Sequence, residues 1–109
     1  MADLGTAVLN DGLALAMEWG EEWLRPIQER LARAHPELTN DDLDRYDTAC
    51  RAAMDRGHDL VSELMQRERL APGDELWRRF RAVSSERDPW ISDDNLGHLY
   101  SQGCYYAMK

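Results

Sequence analysis

The chain has 109 residues, of which 43% are hydrophobic and 31% charged, and its formal net charge is −8. This length predicts a single domain over residues 1–109 and leaves no room for a dinucleotide-binding fold or an α/β barrel. The excess of 21 acidic over 13 basic residues argues against nucleic-acid binding, because the phosphates would be repelled. The composition is typical of a folded chain rather than a disordered one.

The basic residues and the N-terminus bear on the source and the cellular localisation of the protein. All but one of the 13 basic residues are arginine, a bias typical of a GC-rich bacterial genome. Residues 1–10 carry Asp3 and no basic residue, which does not fit a secretory signal, and no apolar run is long enough for a membrane span. We therefore expect a bacterial, cytoplasmic protein that does not bind membranes, in which Cys50 and Cys104 stay reduced.

Apolar residues recur at three- and four-residue steps in four segments, which predicts helices, while strand signals are nearly absent. The first segment covers residues 5–34. Pro26 removes a backbone donor and crowds the preceding turn, so we expect a kink or a break near residues 24–26.

The second helix is predicted to begin after Thr39, a good N-cap residue, and to end at residues 70–73, which read Leu-Ala-Pro-Gly. Ala53 and Gly57, in the middle of its apolar stripe, leave room for a neighbouring helix to approach closely. The whole stripe has heptad-like spacing and consists of Leu43, Tyr46, Cys50, Ala53, Gly57, Leu60 and Leu64.

The third and fourth helices complete the predicted fold. The third covers residues 74–86, and the fourth begins after an N-cap at Ser92 and runs to the C-terminus. Their inner faces are predicted to hold Leu76, Trp77, Phe80 and Val83, and Leu96, Leu99, Tyr100, Gly103 and Ala107, respectively. The pattern predicts an all-α fold, either a four-helix bundle or a pair of helical hairpins.

Catalytic and metal-binding patterns are weak. The sequence has no glycine-rich phosphate loop and no Gly-x-Ser-x-Gly elbow. Asp55 and His58 are three residues apart and Asp94 and His98 four apart, but di-metal bundles use Glu-x-x-His pairs, so these shorter acids fit poorly. Cys104 has no base on the same face of its helix. We expect no catalytic residue, no cofactor and no metal.

Aromatic residues and an acidic run are the candidates for an interaction surface. Tryptophan and tyrosine, four of each here, are enriched at interface cores. Asp41 and Asp42 suit the positive end of a helix dipole, whereas Asp44 and Asp47 repel each other on one face. The predicted surface consists of Trp19, Asp41, Asp42, Asp44, Asp47, Trp90, Tyr105 and Tyr106.

These features favour a non-enzymatic protein-interaction module that binds a protein partner or a second copy of itself. A homodimer is favoured by the wide apolar face around Leu15 and Trp19 and by the charge difference between residues 1–55 (net −7) and 56–109 (net −1). One alternative is an acidic inhibitor or immunity-type protein that masks a basic site. A second alternative is a metal- or small-ligand-binding helical enzyme built on His58 and His98.

Overall fold

A computed structural model describes residues 4–18 and 25–108 of the chain. Within these residues there are five helices and no strand, and 76% of the residues are helical. The helices are α1 (Thr6–Ala16), α2 (Gln28–Ala34), α3 (Asn40–Arg67), α4 (Asp74–Arg87) and α5 (Asp93–Ala107). The predicted all-α class is confirmed, and the four-helix arrangement stays a prediction. No helix of the described ranges combines the length and the apolarity needed to cross a membrane.

The chain divides into two compact units. Unit 1 (Met1–Met54) contains α1, α2 and the first part of α3. Unit 2 (Asp55–Lys109) contains the rest of α3 together with α4 and α5. That the chain is a single domain over residues 1–109 stays a prediction.

The described part of the first predicted segment, in which we expected a kink or a break near residues 24–26, contains the two helices α1 and α2. The first ends at Ala16, where the backbone N–H of Met17 donates to the carbonyl of Leu13 at 3.0 Å. Arg25 and Pro26 lie outside any helix, and Leu24, the other residue of the predicted kink, lies outside the described residues. Pro26 thus precedes α2, a position where its missing N–H costs no helical hydrogen bond.

Four residues that recur at helical spacing in this segment are buried in the described ranges. Leu13 and Met17 before the break, and Ile27 and Leu31 after it, have no exposed surface. The periodic pattern therefore predicted the burial of these four residues, although the described backbone on either side of the break is not one continuous helix.

Close contacts between α1 and α3 organise unit 1. A Cβ atom on Gly12 of α1 would lie 2.8 Å from the Sγ atom of Cys50 of α3, so a larger residue there would force the two helices or the Cys50 side chain to shift. The Cys50 thiol donates to the carbonyl of Leu9 at 3.3 Å. Next to α1, the N–H of Gly5 donates to the Tyr46 hydroxyl at 2.8 Å.

Unit 2 has an equally close contact between α5 and α3. A Cβ atom on Gly57 would lie 2.4 Å from the Cδ2 atom of Leu99, which confirms the predicted close approach at this glycine. The side chains buried in unit 2 come from all three of its helices and include Leu60, Val61, Leu64, Leu76, Phe80, Leu96 and Leu99.

The two predicted N-caps are confirmed. The N–H of Asp42 donates to Oγ1 of Thr39 at 3.1 Å, and the N–H of Thr39 donates back to the Asp42 carboxylate at 3.1 Å. This is a capping box with aspartate in place of the usual glutamate, and the hydrogen bond from the Thr39 backbone lowers the pKa of Asp42. At α5, the N–H of Asn95 donates to Oγ of Ser92 at 3.2 Å.

Candidate interaction surface

The predicted surface residues fall in both units. Asp41, Asp42, Asp44 and Asp47 belong to unit 1, whereas Trp90, Tyr105 and Tyr106 belong to unit 2. Trp19 lies outside the described residues, so the wide apolar face predicted around Leu15 and Trp19 stays a prediction.

Asp44 and Asp47 bind the start of α2. An Oδ1 atom of Asp47 accepts from the backbone N–H of Ile27 at 3.2 Å, and Asp44 accepts from the side-chain amide of Gln28 at 3.1 Å. Ile27 immediately precedes α2, where backbone N–H groups lack intrahelical partners and negative charge is favourable. Although Asp44 and Asp47 lie on α3, their carboxylates interact with the start of α2.

The other two aspartates differ in their surroundings. Asp42 caps α3, as described above. Asp41 is exposed in the first turn of the same helix. Three of the four acidic residues therefore have a role in holding unit 1 together.

The last turn of α5 and the residue after it carry the most exposed apolar side chains. Tyr105 is 52% exposed and Met108 is 67% exposed, and they are the two exposed large hydrophobic residues of the described chain. Tyr106 is half-buried, and its ring centroid is 5.4 Å from that of Tyr105 in an edge-on arrangement. We call Tyr105, Tyr106 and Met108 the C-terminal patch.

His58 of α3 lies beside this patch. Its ring centroid is 5.3 Å from that of Tyr106, and its Nε2 atom is 3.2 Å from the Oε1 atom of Gln102, a buried residue. Burial is the main reason that the pKa of His58 is lowered, against the opposing effects of the Gln102 hydrogen bond and of the Asp55 and Asp59 charges. The imidazole is therefore neutral at neutral pH.

An aromatic cluster holds the start of α4. The Tyr100 hydroxyl accepts from the N–H of Gly73 at 3.0 Å and is 3.2 Å from the carbonyl of the same residue, to which it donates. The ring of Trp77 meets Tyr100 edge-on at 5.3 Å. These rings and Cys104 line a surface depression of about 500 Å³. Trp90 is half-buried in the loop between α4 and α5 and has interactions of its own.

Both cysteines are protonated thiols at neutral pH. Burial raises the pKa of Cys50 to about 12, and burial also raises the pKa of Cys104. Because the thiolate is the nucleophilic form, neither sulfur is activated for attack. Both cysteines are buried, and the expectation that Cys104 is not a nucleophile stays a prediction.

His35 was not among the residues that sequence patterns indicated as functional. Its Nε2 atom is 2.7 Å from a carboxylate oxygen of Asp11, and its Nδ1 atom is 3.5 Å from Glu37. The hydrogen bond to Asp11 is the main reason that the pKa of His35 is raised. Pro36 indicates that a helix ends just before it. No rule of local spacing predicts that His35, which follows α2, contacts Asp11 of α1.

Arg30 is a second residue whose role sequence patterns did not indicate. Its guanidinium donates to the carbonyl of Leu15 at 3.0 Å, to the Glu18 carboxylate at 2.9 Å and to the carbonyl of Arg25 at 3.2 Å. The side chain is only 10% exposed. One arginine of α2 therefore binds both the end of α1 and the residues that precede α2.

No group of three or more His, Cys, Asp or Glu side chains in residues 4–18 and 25–108 is arranged to hold a metal ion. His98 is exposed on α5.

Comparison with models of protein families, with curated proteins and with solved structures found no match.

Proposed function

We propose that this protein is a non-enzymatic interaction module that self-associates through the C-terminal patch. The exposure of Tyr105 and Met108 carries this proposal, because the other large hydrophobic side chains of the described chain are buried or half-buried. Removing apolar surface from water is favourable, and tyrosine and methionine are enriched where proteins meet. The two side chains are three residues apart, so they lie on one side of the helix end.

Charge favours a second copy of the chain as the occupant of this patch. Unit 1 has 11 acidic and 5 basic residues, whereas unit 2 has 10 acidic and 8 basic residues. Repulsion between two copies is therefore weaker where unit 2 meets unit 2. A twofold contact places the same patch on both sides, so that Tyr105 and Met108 of one copy face those of the other.

The state of the reactive side chains supports a non-enzymatic role. Cys50 and Cys104 are thiols rather than thiolates. The Nε2 atom of His58 is engaged with Gln102, and His35 is engaged with two carboxylates. We further propose that the protein acts in the bacterial cytoplasm, where free thiols stay reduced.

The alternative role as an acidic inhibitor has less support. It depends on carboxylates that are available to a basic partner, and Asp44 and Asp47 accept hydrogen bonds at the start of α2. Among the four aspartates, Asp41 is the one that offers an exposed carboxylate without a hydrogen bond in the described chain.

Sedimentation velocity from low to high micromolar concentration tests the proposal. We expect the wild type to form a dimer that Tyr105→Glu and Met108→Glu each disrupt, since a buried charge without a partner opposes association. Ala82→Glu adds the same charge at an exposed position of α4 and should leave the dimer intact. A wild type that stays monomeric, or a Tyr105→Glu variant that associates as well as Ala82→Glu, contradicts the proposal.

A further inference from the structure

Unit 1 holds a histidine between two carboxylates. The Nε2 atom of His35 is 2.7 Å from Asp11 of α1, and its Nδ1 atom is 3.5 Å from Glu37, which follows α2. The His35 side chain is 20% exposed, so these contacts are partly shielded from water. The imidazolium form satisfies both acids at once, because both of its nitrogens are then donors.

Unit 2 holds a histidine in the opposite surroundings. The Nε2 atom of His58 faces the amide oxygen of Gln102 of α5, which is 1% exposed, and the ring lies against Tyr106 of the same helix. Asp55 and Asp59 of α3 act on the ring through charge only. A proton on this imidazole would place charge in a half-buried site that offers a neutral acceptor and an aromatic ring.

We propose that acidification strengthens unit 1 through His35 and weakens unit 2 through His58, so that the two halves of the chain respond to pH in opposite senses. The two responses are also separated along the pH axis. Tyr106 belongs to the C-terminal patch, but the proposal does not depend on self-association, because each response concerns the folding of one unit.

The sign follows from the direction of each pKa. The pKa of His35 is raised above the ordinary 6.5, first by the Asp11 hydrogen bond and further by the charges of Asp11 and Glu37. Its contribution to unit 1 is therefore complete below 6.5 and is lost as the pH rises through the folded value. The pKa of His58 is lowered from 6.5, chiefly by burial, so its contribution to unit 2 is present above 6.5 and is lost as the pH falls through the folded value.

Amide hydrogen exchange of the full chain tests this, with rates corrected for the intrinsic effect of pH and histidine titrations followed in parallel by NMR. We expect the protection of residues in α1 and α2 to rise as the pH falls towards neutrality and then to level off. The protection of residues in α5 should stay level over that range and fall only at more acidic pH.

Variants assign each response to its histidine. Asp11→Asn should shift the His35 midpoint to lower pH and remove most of the gain in unit 1. Glu37→Gln should give a smaller shift in the same direction, and it serves as the test if Asp11→Asn does not fold. His58→Gln should abolish the loss in unit 2. His98→Gln removes an exposed histidine and should leave both responses as they are.

Three results would overturn the proposal. The first is a change of protection that has the same sign in both units over the whole pH range. The second is a His35 midpoint that neither Asp11→Asn nor Glu37→Gln moves. The third is a response of unit 2 that persists in His58→Gln.

Discussion

Gly103 shows how one missing side chain sets the distance between two helices. A Cβ atom at this position of α5 would lie 2.7 Å from the Cγ2 atom and 3.0 Å from the Cβ atom of Val61. Valine is branched at Cβ and has little rotamer freedom in a helix, so it cannot move aside easily. Gly97 of the same helix has no atom within 4 Å of the corresponding position.

We therefore predict opposite effects for the same substitution at these two glycines. Gly103→Ala should lower the free energy of unfolding by about 1–3 kcal/mol, because α5 must shift away from α3. Gly97→Ala should raise it by about 0.5–1 kcal/mol, because alanine loses less backbone entropy in a helix. Urea unfolding followed by circular dichroism measures both. Equal stability of the two variants would show that the helices are not in close contact at Gly103.

Cys50 should be inert in the folded chain. Its side chain has no exposed surface, its thiol donates to the Leu9 carbonyl, and its pKa is raised to about 12. We expect a thiol reagent at neutral pH to modify Cys50 only after denaturant unfolds the chain. Mass spectrometry of peptides from the treated protein measures this, and modification of native Cys50 at the rate of a free thiol would contradict it.

The helix starts depend on local hydrogen bonds that a single residue supplies. Thr39→Ala and Ser92→Ala should each lower the free energy of unfolding by about 1 kcal/mol, because an N–H group at the helix start loses its acceptor. Thr39→Ser keeps the hydroxyl and should have a stability close to that of the wild type.

The capping box at Thr39 should also depend on pH. The pKa of Asp42 is lowered, so the contribution of this capping box to stability should be lost as the pH falls through the folded value. Urea titrations at neutral and acidic pH test both expectations, and a Thr39→Ala variant as stable as Thr39→Ser would contradict the first.

Asp47 should matter for the stability of α2. Asp47→Ala removes the acceptor of the Ile27 N–H and should lower the free energy of unfolding by about 1–2 kcal/mol. Asp47→Asn keeps an oxygen acceptor and should lose less, and Thr48→Ala at the exposed neighbouring position should lose least. Thermal unfolding of the three variants ranks them. An Asp47→Ala variant as stable as the wild type would contradict this role of Asp47 in stabilising α2.

The starts of α3, α4 and α5 could be predicted because their signals are local. Thr39 and Ser92 cap helices that begin at the next residue, and Pro72 and Gly73 directly precede α4. The end of α1 at Ala16 could not be predicted, because the sequence there has neither proline nor a terminal glycine and the apolar stripe continues across the break. Periodicity reports which side chains are buried, and it reports backbone continuity only indirectly.

The candidate site was predictable only in part. Tyr105 and Tyr106 could be singled out as residue types that favour interfaces. The roles of Asp47 and His35 could not, because each depends on a partner brought near by tertiary packing, 20 and 24 residues away in sequence. Local rules assign Asp47 to the helix on which it lies, although its carboxylate binds the start of another.

The whole molecule combines an acidic unit with a nearly balanced one that carries the exposed apolar residues. Unit 1 accounts for most of the net charge of −8, and Tyr105 and Met108 lie in unit 2. Added salt should therefore weaken the repulsion between unit 1 of one copy and unit 1 of another and leave an apolar contact largely unchanged. We predict that self-association is equal or stronger at high salt, measured by light scattering. A dimer that dissociates as salt rises would indicate a contact between opposite charges instead.

The most direct test of self-association through the C-terminal patch is a concentration series of amide NMR spectra of the wild-type chain. We predict that signals of residues 101–108 shift or broaden as the concentration rises, because a second copy covers Tyr105 and Met108, and that signals of residues 40–54 do not. Spectra that are identical at all concentrations, or changes confined to unit 1, would contradict the account.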